Sequence, residues 1–283
     1  MRMCGQDDVS LIDLVIQIQS DPLLGGRIIK IGNGAAINKG RPIVAVSKDV
    51  LQMIGLQSVR QLTLAISLTA QSQNHPCAGF DYRHFWARTV AMACAGQALA
   101  EYYGEAPPSE MFSTGLLANV GQLGLSATKP LVYAALLARG GDRDALRAGE
   151  KEVFGYNQCE LAAAMMQDWD IPMLFCHAVL HHTAPAESGL EPDSRAMRLT
   201  QMLALAGAIA DYCVADESEQ LSMLQIVLDG VKVFRGEPAH VIALCDRVGR
   251  DCIEWAELIK IEMPKLRDTG ELMQQLQQQQ QAA

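Results

Sequence analysis

Aromatic residues are scarce in this chain, 5% of 283 positions, and no run of alternating Val, Ile and Thr is bounded by a hairpin turn signal. Those two absences argue against a sheet, whose half-buried strands draw on both groups. No glycine-rich dinucleotide fingerprint, phosphate-binding loop or short internal repeat occurs, which removes the common nucleotide folds and the solenoids. Positive charge is thin as well: 23 Lys and Arg stand against 32 Asp and Glu, a formal charge of −9. The cations are scattered singly, so nucleic acid is not an expected partner. The first ten residues carry Asp7 and Asp8 and no apolar core, and the apolar helices are interrupted by charges such as Asp211. Export and membrane insertion are therefore disfavoured, and a cytoplasmic location is expected. The eight cysteines form no Cys-x-x-Cys pair and mostly fall in apolar helical patterns, a usage that suits a reducing compartment.

What the chain does have is helical periodicity. Hydrophobic residues make up 49% of it, rich in Ala and Leu, enough for a substantial core. Leu11, Leu14, Val15 and Ile18 repeat at helical spacing, and Asp21-Pro22 opens a second helix that Asn33-Gly34 closes. Ser47 can cap a short helix carrying Val50, Leu51 and Ile54, which Gly55 breaks, and Ser58 can cap the next, running to Thr69. This pair has a helix-turn-helix outline, but Arg60 is the only cation of its second helix, so packing is the better reading. Gln71 to Gly79 reads as a connection. Asp81 then caps a long helix to Tyr103, and Pro107-Pro108 starts one whose Phe112, Leu116, Leu117 and Val120 share a face, with Gly121 placed to end it in a left-handed conformation. Further helices are predicted over Pro130 to Arg139, Asp142 to Val153, Asn157 to Trp169, Pro172 to His181, Ser194 to Val214, Leu221 to Phe234 and Pro238 to Met263. Asn157 and Glu160 have capping-box spacing. From Pro264 the apolar residues thin out and glutamines take over, which predicts a frayed helix or disorder.

Several of these stretches occur in an order that resembles a known family. Asp21-Pro22-Leu23, Lys30-Ile31-Gly32-Asn33 and Ile54-Gly55-Leu56 come first; Phe85-Trp86, Gly115-Leu116-Leu117 with Val120-Gly121, Glu152-Val153-Phe154-Gly155, Ile171-Pro172 and His181-His182 follow. From about Leu11 to Asp211 the series resembles the HD-related output domain, HDOD, a branch of the HD phosphohydrolase superfamily. The resemblance implies an all-α bacterial protein of two packed helical subdomains, the second HD-like. It divides the chain into an N-terminal subdomain over 1–75, the HD-like subdomain over 76–215, C-terminal helices over 216–263 and a glutamine-rich tail or linker over 264–283.

The same resemblance implies a damaged metal site. The superfamily's His-Asp pair is replaced by Ala118-Asn119, the histidine expected after Phe85-Trp86 by Arg88, and the one after Phe154-Gly155 by Gln158, while His181, His182 and Asp211 remain. His84 lies one turn before Arg88, about 6 Å away, too far to take over as a ligand. Consecutive helical residues diverge by about 100°, so His181 and His182 are not expected to face one ion. Arg88, Asn119, Gln158, His181, His182 and Asp211 are therefore expected to form a vestigial pocket, with no metal and no cofactor, able to take a small anionic ligand. Trp86, Trp169 and Met165-Met166 are read as core. The expected function is a non-catalytic signalling or regulatory module that works through a signalling protein or a fused upstream domain, as a monomer or a homodimer. The alternative is a metal-dependent phosphohydrolase or cyclic-nucleotide phosphodiesterase using His181, His182 and Asp211.

Overall fold

The computed structural model describes Ile31 and residues 47–55, 58–59, 77–168, 171–234, 238–259 and 261–282. Every regular element among them is helical. The chain separates into two compact units, residues 1–74 and 75–283.

In the first unit, α1 spans Lys48–Ile54 and buries Val50, Leu51 and Ile54. Ser47 caps it by accepting from the Val50 N–H at 3.3 Å, and Gly55 ends it at φ +90°, a conformation that favours glycine. Apart from Ile31, Ser58 and Val59, the other helices expected in this half lie outside the described residues, as do Trp169 and the connection up to Pro76.

The second unit is built around α2, Tyr82–Tyr103, whose first turn Asp81 caps through the His84 N–H. Fourteen of its 22 residues are buried, and seven of those are alanines or Gly96 outside the aromatic Phe85-Trp86 start: Ala91, Ala93, Ala95, Ala98 and Ala100 among them. Small residues on nearly every side let neighbours close in all round, and α2 packs against α3 (Pro108–Leu117), α9 (Arg195–Val214) and α11 (Pro238–Ile259). Between α3 and α9 come α4 (Val120–Thr128), α5 (Pro130–Leu137), α6 (Arg143–Phe154), α7 (Gln158–Asp168) and α8 (Met173–His181). Asp142 caps α6, Ser194 caps α9, and Asn157 and Glu160 complete the expected capping box at α7.

Two sequence expectations change. The helix from Pro108 does not run through Val120: it stops at Leu117, turns at Ala118 and Asn119, and restarts as α4. Gly121 accordingly lies inside α4 and is not a left-handed cap. A Cβ there would stand 2.0 Å from the Gln158 carbonyl oxygen, so this glycine serves close approach of α4 to α7.

The glutamine-rich end also departs from expectation. After α10 (Gln220–Lys232) and α11, it forms α12, Thr269–Ala282, with Leu272, Met273 and Leu276 buried. Gln220, fully buried, donates to the Lys265 carbonyl at 2.9 Å and accepts from the Arg267 N–H at 3.0 Å, while Thr269 donates to Asp246 at 2.7 Å. Three apolar side chains on one face, with the preceding segment tied down, suffice to hold a helix that is polar elsewhere.

Candidate functional site

Polar side chains from five places in the second unit converge on one cavity of about 200 Å³. From α2 come His84 and Arg88; the Ala118-Asn119 turn supplies Asn119; α6 supplies Arg143 and Arg147; the start of α7 supplies Gln158, and the end of α8 His182. Asp211 of α9 stands behind two of these residues, Arg88 and Arg143. It borders a second, outer cavity of about 610 Å³ that shares His84 and Arg143 with the first.

Arg88 organises the polar contacts. Its Nε donates to Asp211 Oδ1 at 2.7 Å and its Nη1 to Asn119 Oδ1 at 2.8 Å. Arg143 Nη1 donates to the other carboxylate oxygen of Asp211 at 2.5 Å. Burial by itself would raise the Asp211 carboxyl, but the two guanidiniums outweigh it and hold it below the ordinary carboxylate range. Burial, and then the neighbouring Arg88, lower Arg143.

His182 is buried, and its Nδ1 lies 2.8 Å from the Val179 carbonyl oxygen. A carbonyl can only accept, so Nδ1 carries the proton and Nε2 a lone pair. Gln158, also buried, begins α7; its backbone N–H donates to Glu150 Oε2 at 2.8 Å, but its side-chain Oε1 has no partner. Glu150 is fully buried and accepts from the Tyr133 hydroxyl at 2.9 Å as well. Burial raises its carboxyl, against those hydrogen bonds. Burial also pushes the neighbouring Cys159 thiol up to about 11, which leaves it protonated at neutral pH.

Of the expected pocket residues, Arg88, Asn119, Gln158 and His182 line the inner cavity and Asp211 touches it through Arg88. His181 does not line either cavity. It is the last residue of α8, and the backbone stays helical through His182, so their side chains diverge and His181 faces His177 one turn back. Sequence reading missed Arg143, Arg147 and Glu150. The two arginines sit at i,i+4 beside Asp142 and Asp144, a pattern that looks like a solvated helix face. Glu150 has no local signal, since its partners Tyr133 and Gln158 belong to other helices.

This donor set does not suit a divalent ion. Both oxygens of Asp211 are engaged by guanidiniums, the Asn119 oxygen accepts from a third N–H, and Arg147 adds a further cation to the lining. Among the described residues no group of three or more His, Cys, Asp or Glu converges to hold a metal.

Residues 1–185 match the family model described as HDOD domain. The chain belongs to the HDOD family. That family is related to the HD phosphohydrolases. No curated protein matches the chain. Among solved structures, the MmoQ response regulator of Methylococcus capsulatus strain Bath is 31% identical, over 89% of this chain and 90% of that one, with a TM-score of 0.49. A proposed phosphohydrolase of Shewanella amazonensis SB2B is 24% identical over 91% and 90%, with a TM-score of 0.63. An HDOD domain protein of unknown function from Geobacter sulfurreducens is 17% identical over 88% and 90%, at 0.60. The last two share the fold. No helix among the described residues of this HDOD chain is long and apolar enough to cross a membrane.

The buried histidine makes HDOD stability pH-dependent. Burial pushes His182 down to about 4, against a usual value near 6.5. Between those values the unfolded chain binds more protons, so stability falls as the pH drops from about 6.5 to about 4. Glu150, whose carboxyl is raised, acts in the opposite sense as it protonates. Denaturant unfolding at pH 7 and pH 5 is expected to show the parent losing about 2 kcal/mol more than His182→Asn; equal losses would mean that His182 is charged in the folded state.

Proposed function

We propose that this HDOD chain is a non-catalytic, cytoplasmic signal-transduction module that acts through contacts with a signalling protein or a joined regulatory domain. Its arginine-lined pocket takes a small anionic ligand. The observation that carries the reading is the Arg88–Asp211–Arg143 arrangement, in which two guanidiniums already pair with both oxygens of the carboxylate; the family resemblance adds that Ala118 and Asn119 stand where the superfamily has its His-Asp pair. A divalent ion that activates water is held by unprotonated imidazoles and free carboxylates, and a cluster of guanidiniums repels it. Arginines instead recognise oxyanions, with several N–H donors in a fixed fork. Ligand occupancy would then bias which surface the module presents to its partner, as a population shift between arrangements of its helices.

The test is elemental analysis of protein purified without chelator, paired with a phosphodiester and phosphomonoester hydrolysis assay. The expected result is metal well below one ion per chain and no turnover with added Mn²⁺ or Mg²⁺. Near-stoichiometric metal that His182→Ala removes, together with hydrolysis, would favour the phosphohydrolase reading.

A further inference from the structure

The inner cavity has two chemically different walls. On one side are the guanidiniums of Arg88 and Arg143, which share Asp211, and of Arg147, which pairs with Asp144; each keeps further N–H donors beyond those bonds. On the other is one acceptor without a protein partner, Nε2 of His182. Gln158 also lines the cavity, but its Oε1, which accepts no hydrogen bond, is sealed from it. His182 is 6% exposed, and because the Val179 carbonyl fixes the proton on Nδ1, its Nε2 can only accept. The His182 polarity is not interchangeable, because reversing the tautomer would set two lone pairs against each other at 2.8 Å.

A ligand that satisfied only the guanidiniums would bring its own lone pairs against Nε2. A buried acceptor left without a donor disfavours the complex as strongly as a good hydrogen bond favours it. We infer that the cavity selects hydrogen phosphate, an oxyanion that still carries a proton near neutral pH, over oxyanions that carry none. Its deprotonated oxygens face Arg88, Arg143 and Arg147, and its single P–OH group donates to Nε2 of His182. Sulfate matches it in shape and charge but has no proton to give, and a phosphomonoester dianion has none either. The inference rests on the anion-binding reading above and adds to it the polarity of the bound anion.

Isothermal titration of the full chain at pH 8 with inorganic phosphate, sulfate and ethyl phosphate tests it, with ionic strength held constant. Phosphate should bind about 10- to 100-fold more tightly than the other two, the range set by one unsatisfied buried acceptor. In His182→Phe, once thermal unfolding shows that it is folded, phosphate should fall towards the sulfate affinity while sulfate changes little. The parent protein decides the matter without the variant. Equal binding of phosphate and sulfate, or of phosphate and ethyl phosphate, overturns the selectivity and leaves the anion site standing; no binding of any of the three overturns both.

Discussion

Replacing Gly121 with alanine is expected to destabilise the second unit by on the order of 3 kcal/mol or more. The added methyl would meet the Gln158 carbonyl oxygen at 2.0 Å and the Ala162 nitrogen at 3.0 Å, both backbone atoms of α7. Backbone cannot swing aside as a flexible side chain can, so α4 and α7 would have to separate. That separation also opens the cavity wall, because Asn119 immediately precedes α4 and Gln158 begins α7. Denaturant unfolding of the Gly121→Ala chain measures the loss. A change below about 0.5 kcal/mol, the scatter of neutral surface substitutions, would rule out the close contact. Gly104 is the internal control: it ends α2 at φ +71° with nothing near its missing Cβ, so alanine there meets strain but no clash and should cost less.

Asp211→Ala is the second large effect, on the order of 3 kcal/mol. It leaves the Arg88 guanidinium, 13% exposed, with no carboxylate partner. Arg143 is 41% exposed and can turn to water, so Arg143→Ala should cost less than about 1 kcal/mol. The asymmetry distinguishes an internal ion pair from a surface one. Arg88→Met combined with Asp211→Leu should recover much of the loss, since the penalty comes from the unpaired charge rather than from the missing bond. Unfolding measurements on the three chains decide this, and losses of equal size for Asp211→Ala and Arg143→Ala would contradict it. The Asp211 variant should also hold oxyanions more tightly, because the carboxylate that offsets two of the cavity's guanidiniums is gone.

Much of the fold was legible because helix ends are written locally. Ser47, Asp81, Asp142, Asn157 and Ser194 each cap the helix that their spacing predicted, through hydrogen bonds that span two or three residues. The pocket was partly legible for another reason: Arg88, Asn119, Gln158, His182 and Asp211 occupy positions that the family resemblance singles out, and the helices carrying all of them but Asn119, which lies in a turn, were placed as expected. His181 was not, since a dipeptide does not say which of its members turns inward. Arg143 and Arg147 were not either, because a charged pair at i,i+4 reads the same whether the face meets water or a buried carboxylate.

By itself, then, the sequence determined the all-helical class, the caps, and the presence of Ala118-Asn119 where the family resemblance sets a His-Asp pair. Those depend on residue identity and on neighbours a few positions away. Only the tertiary structure decided that Gly121 is a point of contact rather than a cap, that the glutamine-rich end folds onto α10 and α11, and that Arg88 and Arg143 share Asp211. Each of these depends on groups from helices far apart in the chain, and their burial and charge balance exist only once those helices have packed.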